Sequence, residues 1–141
     1  MLGEDRIDAV LHRAHPLASQ NTLSLKQLGA ENWAVTPGDD PYRVWLTEHR
    51  QTIRLDPPAT YEATEFASLL SYVQHRLAVA AIPRLGRDYL PDETVAIPLT
   101  DATAVRRVSV VVRASSRGGP VLETLLSQLT ATANEVFKHA Q

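Results

Sequence analysis

The stretch from Ile7 to Val35 constrains this chain more than any other. Ile7 to Leu11 is a short apolar run that reads as a strand. His15 precedes Pro16, and proline disfavours helical geometry in the residue before it, so the strand must end in an extended corner. Ser24 is placed to cap a short turn of helix carrying Leu25 and Leu28, with Gly29 at its C′ position. Glu31 to Val35 then begins a second strand.

The rest of the chain repeats the alternation. In Thr36-Pro37-Gly38-Asp39-Asp40-Pro41, Asp40 suits an N-cap and Pro41 the first helical position. Tyr42, Trp45, Leu46, His49 and Ile53 share one helical face. Pro57-Pro58 breaks the chain, and a short strand is expected near Ala59 to Ala63. Thr64 is read as the cap of the next helix, whose apolar positions are Phe66, Leu69, Leu70, Val73 and Leu77. Ala78 to Ile82 is a continuous small-apolar run, as expected of a strand buried on both faces of a parallel sheet. Pro83 stops it and opens a short helix through about Tyr89. Val95 to Leu99 reads as a strand, and Val105 to Arg113 as a longer alternating one. Gly118-Gly119-Pro120 turns the chain into a helix with an apolar stripe: Leu122, Leu125, Leu126, Leu129, Ala133, Val136 and Phe137. Strands alternating with helices indicate an α/β domain with βαβ crossovers.

Bulk properties narrow the function classes. At 141 residues, 44% hydrophobic and 21% charged, the chain has the composition of one globular domain. No apolar stretch approaches bilayer length. The acidic start, without an apolar segment after it, is unlike a secretory signal. There is no cysteine, hence no disulfide framework, and a cytoplasmic location fits. A net charge of -2 lacks the basic footprint of a nucleic-acid binder.

The strand, the His15-Pro16-Leu17-Ala18 corner, the Leu25–Leu28 turn and the Trp33 strand resemble the effector-binding domain of LysR-type transcriptional regulators. The resemblance continues in order through Thr36-Pro37-Gly38, Tyr61 to Thr64, Ala78 to Arg84, and Arg106 to Arg113. It implies a βαβ-type three-layer lobe of the type 2 periplasmic-binding-protein kind, with crossing strands and a long C-terminal helix. On that pattern residues 7–14 are the first crossing strand, 15–104 the distal lobe, and 105–141 the second crossing strand and terminal helix. The family's N-terminal winged helix-turn-helix and most of its first lobe have no counterpart here. One local departure stands out: His75-Arg76-Leu77 occupies a place where the family usually has Gly or another small residue.

Candidate site residues lie at strand-to-helix junctions. Backbone amides at a helix start favour anions, and Gly38 lets a ligand approach closely. Asp39 completes that loop, although its carboxylate and that of Asp40 count against an anionic effector, and Asp40 is read first as a cap. Thr64 offers a hydroxyl at the next junction. The expected ligand contacts are therefore Thr36, Gly38, Asp39 and Thr64. Arg84 can engage a carboxylate bidentately or stand in solvent, and solvent is favoured. Trp33 and Trp45 read as core.

His12 and His15 do not share a face and lack a third partner, so no metal site is expected. No G-x-S-x-G, P-loop or ligand array points to catalysis or a cofactor. The resemblance implies a non-enzymatic sensor of a small-molecule effector. It would reach DNA only through a separate module and would have no membrane role. The last helix carries more apolar surface than the domain can cover, which predicts a homodimer or higher homo-oligomer. The alternative is a free-standing ligand-binding or protein-interaction module without a DNA-directed role.

Overall fold

A computed structural model describes residues 1–38, 40–53 and 60–139. The first strand, β1 (Gly3–His12), is the axis of the fold. Its first four residues pair antiparallel with β6 (Val105–Val108), placing Asp5 opposite Arg106 and Glu4 opposite Arg107. From Ile7 onward it leaves that ladder and pairs antiparallel with β4 (Ala80–Pro83) on one side and β5 (Thr94–Pro98) on the other. One unbroken strand thus belongs to both the crossing ladder and the lobe sheet. It begins earlier than its apolar run, because Gly3 to Arg6 are held by pairing rather than by hydrophobic burial.

β2 (Trp33–Val35) and β3 (Thr60–Glu62) pair in parallel, with α1 (Pro41–Ile53) between them in sequence. α2 (Phe66–Gln74) then leads to β4, and Val79, the residue just before β4, forms a parallel bridge with Trp33 of β2. These are the expected βαβ units. The small-apolar run is buried, with Val79 to Ile82 all nearly inaccessible, but the antiparallel neighbour β1 covers it instead of a wholly parallel sheet.

Side-chain alternation divides the core. Ile7, Ala9 and Leu11 join Trp33, Val35, Leu46, Ala81 and Ile97 on one face, while Val10, Ala80 and Ile82 join Leu69, Leu70 and Val73 of α2 on the other. Helices on both faces give the three-layer arrangement. The Leu25–Leu28 turn is a 3-10 helix that buries both leucines, and the Gln27 side chain accepts the Ser24 N–H at 2.9 Å. Gly29 stays right-handed there, so its freedom is not used.

Three local expectations are corrected. Thr64 does not cap α2; Glu65 occupies the cap position, and its side chain makes no capping hydrogen bond. The strand from Val105 ends at Val108 rather than Arg113, because β1 begins opposite it at Gly3 and supplies no partner beyond. The alternating valines continue without a ladder, and Val111 is almost fully exposed. Arg84 is not solvated, as described below. The Pro57-Pro58 break and Ala59 lie outside the described residues.

The helix α2 ends in a Schellman motif. Leu77 N–H donates to Tyr72 C=O at 2.9 Å and Arg76 N–H to Val73 C=O at 3.0 Å. The residue at C′ in this motif adopts a left-handed backbone and is usually glycine. Here it is Arg76, with φ of 61°. The arginine therefore keeps the backbone that a glycine would normally supply.

The terminal helix α3 (Pro120–His139) follows the left-handed turn at Gly118. It meets β1 near its C-terminal end, where a Cβ on Gly3 would collide with the Phe137 ring. Ala133 is buried, yet Val121, Leu125, Leu129 and Val136 are exposed. No helix among the described residues is long and apolar enough to cross a membrane.

Candidate functional site

The start of α1 sets one wall of a cleft. Asp40 accepts the Tyr42 N–H at 2.9 Å, which makes it the N-cap, and the Thr36 hydroxyl donates to the same oxygen at 2.9 Å. Its charge is thus engaged by two local donors. Gly38 adopts φ of 55°, and an added Cβ would meet nothing within 4 Å. The glycine serves the turn's left-handed backbone.

Thr36, Thr64 and Asp40 line a cleft of about 570 Å³, with Tyr42, Trp45, Phe66, Leu69 and Tyr89 as its largely apolar walls. Ile7 of β1 and Arg106 of β6 face the same space, so both crossing strands contribute. Gly38 is not among the lining residues, and Asp39 lies outside the described residues. Of the four expected contacts, the fold brings Thr36 and Thr64 together.

Arg106 is a charged cleft residue that sequence reasoning missed. Its Nε and Nη2 each lie 2.9 Å from Asp5 Oδ2, and its side chain remains half-exposed. The signal was present as Glu4-Asp5 and Arg106-Arg107, whose opposite charges face each other across the ladder. Trp45, expected in the core, is half-buried at the cleft wall, where its indole N–H donates to Thr103 C=O at 2.9 Å. Trp33 is core, with its indole N–H satisfied by Leu28 C=O.

Tyr42 ties this wall to the sheet. Its hydroxyl donates to Ala34 C=O at 3.1 Å and accepts the Ala81 N–H at 3.2 Å. Burial of that hydroxyl pushes the phenol well above its usual range, against a smaller opposing effect of the Ala81 hydrogen bond.

Behind the cleft, Asp8 is fully buried and receives Arg84 Nη2 at 2.9 Å and Arg87 Nε at 2.6 Å. The hydrogen bonds to Asp8 hold the Arg84 guanidinium above its ordinary pKa, against desolvation. Asp5 Oδ1 also accepts the Leu85 N–H at 3.2 Å. These acids anchor β1 to the segment after β4. Among the described residues, no group of three or more His, Cys, Asp or Glu is arranged to hold a metal ion.

Residues 1–134 match the LysR substrate binding domain family. No curated protein shows significant similarity to the chain. Among solved structures, the BenM effector binding domain with its effector benzoate is similar with a TM-score of 0.71 at 17% identity, over 98% of this chain and 62% of that one. The effector binding domain of QuiR in complex with shikimate gives 0.75 at 11% identity, over 95% and 64%. A Corynebacterium glutamicum OxyR C206 mutant gives 0.79 at 18% identity, over 99% and 43%. The chain therefore spans less than two thirds of each of these structures, and at these identities the likeness concerns the fold.

Proposed function

The chain belongs to the LysR substrate binding domain family, and on that premise we propose that it senses a small organic acid for a LysR-type transcriptional regulator. The observation that carries this reading is the cleft at the crossing strands, where Thr36, Thr64 and the half-exposed Arg106 meet apolar and aromatic walls. Such a site suits a ligand with an apolar or ring-shaped body and an anionic end. Arg106 supplies a planar donor set for a carboxylate, and the engaged state of Asp40 reduces its repulsion. Benzoate and shikimate, bound in two of the similar structures, belong to this chemical class.

The proposed mechanism is a population shift. An acid that binds one arrangement of the crossing strands better than another biases that arrangement. The readout passes to a winged helix-turn-helix module that acts on DNA in the cytoplasm; the domain itself catalyses nothing. The exposed leucine and valine stripe of α3 supports pairing with a second copy, since burying each such side chain contributes roughly 1.5–3 kcal/mol.

Thermal unfolding in the presence of a panel of small carboxylic acids tests the proposal. At least one acid should raise Tm in a saturable way, as mass action requires of a ligand selective for the folded state. A panel that leaves both Tm and Trp45 fluorescence unchanged would overturn it.

A further inference from the structure

A second hollow, of about 240 Å³, lies at the far end of β1 and is lined by His12, His15, Glu31, Asn32 and Arg76. His12 lies five residues beyond the cleft residue Ile7, about 16 Å along an extended strand. The two hollows share no lining residue.

The protonation of His12 follows from its neighbours. Its Nδ1 accepts the Ala14 N–H at 2.9 Å. A backbone N–H can only donate, so neutral His12 must carry its proton on Nε2. Yet Arg76 Nε, also an obligatory donor, stands 3.4 Å from that same Nε2. Two N–H groups therefore converge with no acceptor between them. His12 itself is 8% exposed, and its Nε2 edge borders the hollow. His15 presents the contrasting, satisfied case. Its Nδ1 accepts the Leu17 N–H at 3.1 Å, and its Nε2 lies 3.3 Å from Glu31 Oε1. The Glu31 carboxylate is thus engaged by His15, and Asn32 donates to Leu77 C=O.

Arg76 is held here at a backbone cost. It occupies the left-handed C′ position of the Schellman motif, where glycine is the unstrained choice. A long cationic side chain at that position fits a role that glycine cannot fill.

We propose that this hollow is a second ligand site, separate from the cleft, which takes a small oxyanion between the His12 Nε2–H and the Arg76 guanidinium. A phosphate or carboxylate oxygen placed there accepts from both donors and balances the arginine charge. The volume accommodates such an anion together with ordered water, whose share is about 30 Å³ per molecule. The inference rests on this pocket alone and stands or falls independently of the effector reading.

The test follows the ring resonances of His12 in the full chain. Inorganic phosphate and acetate are titrated separately at fixed pH and ionic strength, with chloride as the control. Saturable movement of His12, with the Trp45 indole in the cleft unmoved, supports the site. The anion that saturates at lower concentration identifies it as a phosphoryl or a carboxylate site. Two variants preserve the local fold. Arg76→Gly suits the left-handed backbone. His12→Asn keeps an acceptor for Ala14 N–H while removing the inward donor. Each should weaken binding by about tenfold or more, the scale of one charge-assisted contact. No saturable movement, movement equal to that in chloride, or unchanged binding in both variants would overturn the proposal.

Discussion

The Arg84 guanidinium closes on the buried Asp8 carboxylate across 76 positions of chain, with Nη2 2.9 Å from Oδ1. Removing one member of such a pair leaves an uncompensated charge in a low-dielectric site. Asp8→Ala should therefore destabilise the fold by about 3–5 kcal/mol, measured from urea unfolding. Replacing Asp8, Arg84 and Arg87 together by Leu, Met and Met should cost less than the single change, because no stranded charge remains. A loss below about 1 kcal/mol for Asp8→Ala would show that the pair contributes little.

Tyr42 predicts an alkaline limit to stability. Its folded pKa is raised above the ordinary phenol value of about 10. Below that value both states are protonated and the contribution is fully present. Above it the unfolded phenol ionises first, so stability falls as pH rises toward the folded pKa. Tyr42→Phe should flatten the decline beyond pH of about 10, at the cost of a lower baseline from the orphaned Ala81 N–H. Identical alkaline slopes in urea midpoints for the two proteins would contradict this account.

Arg106→Gln should weaken any carboxylate ligand of the cleft by about tenfold or more, since a charge-assisted contact contributes roughly 1.5–3 kcal/mol. Thr64→Val should have a smaller effect, a few-fold, because it removes one neutral donor. Calorimetric titration separates the two. Equal affinity in the wild type and in Arg106→Gln would remove Arg106 from the site.

Leu125 is 53% exposed on α3. If that face pairs with a second copy, light scattering at micromolar concentration should give a dimer mass, and Leu125→Glu should lower it to a monomer without loss of helicity. A monomer mass in the wild type would end the pairing proposal.

Much of the fold was legible because it depends on local rules. A short apolar run located β1, helical spacing located α1, α2 and α3, and Asp40-Pro41 marked the start of α1. Pairing partners were less legible. Val108 to Val112 alternates as a strand should, but whether it has a neighbour depends on where β1 begins. Burial of ions was also hidden. Arg84 reads as a surface residue until Asp8, far away in sequence, is placed beneath it. At the cleft, Thr36 and Thr64 were legible only as strand-to-helix junction residues, and both line it, whereas Arg106 required the register that sets it opposite Asp5. Arg76 carried the opposite signal: an arginine where glycine was expected, on a backbone that remained glycine-like.

The continuity of β1 makes it resemble a drive shaft. No turn or bulge interrupts it between Asp5, paired with Arg106 of the crossing ladder, and His12, paired with Thr94 of the lobe. A shaft cannot turn at one end alone. Torque applied where Arg6 meets Val105 must break backbone hydrogen bonds or rotate β4 and β5 with it. The two buried acids resist the first outcome, since Asp5 and Asp8 fasten opposite faces of the strand to the segment following β4. Motion entering at the crossing ladder therefore leaves at the opposite rim of the lobe, with little play between.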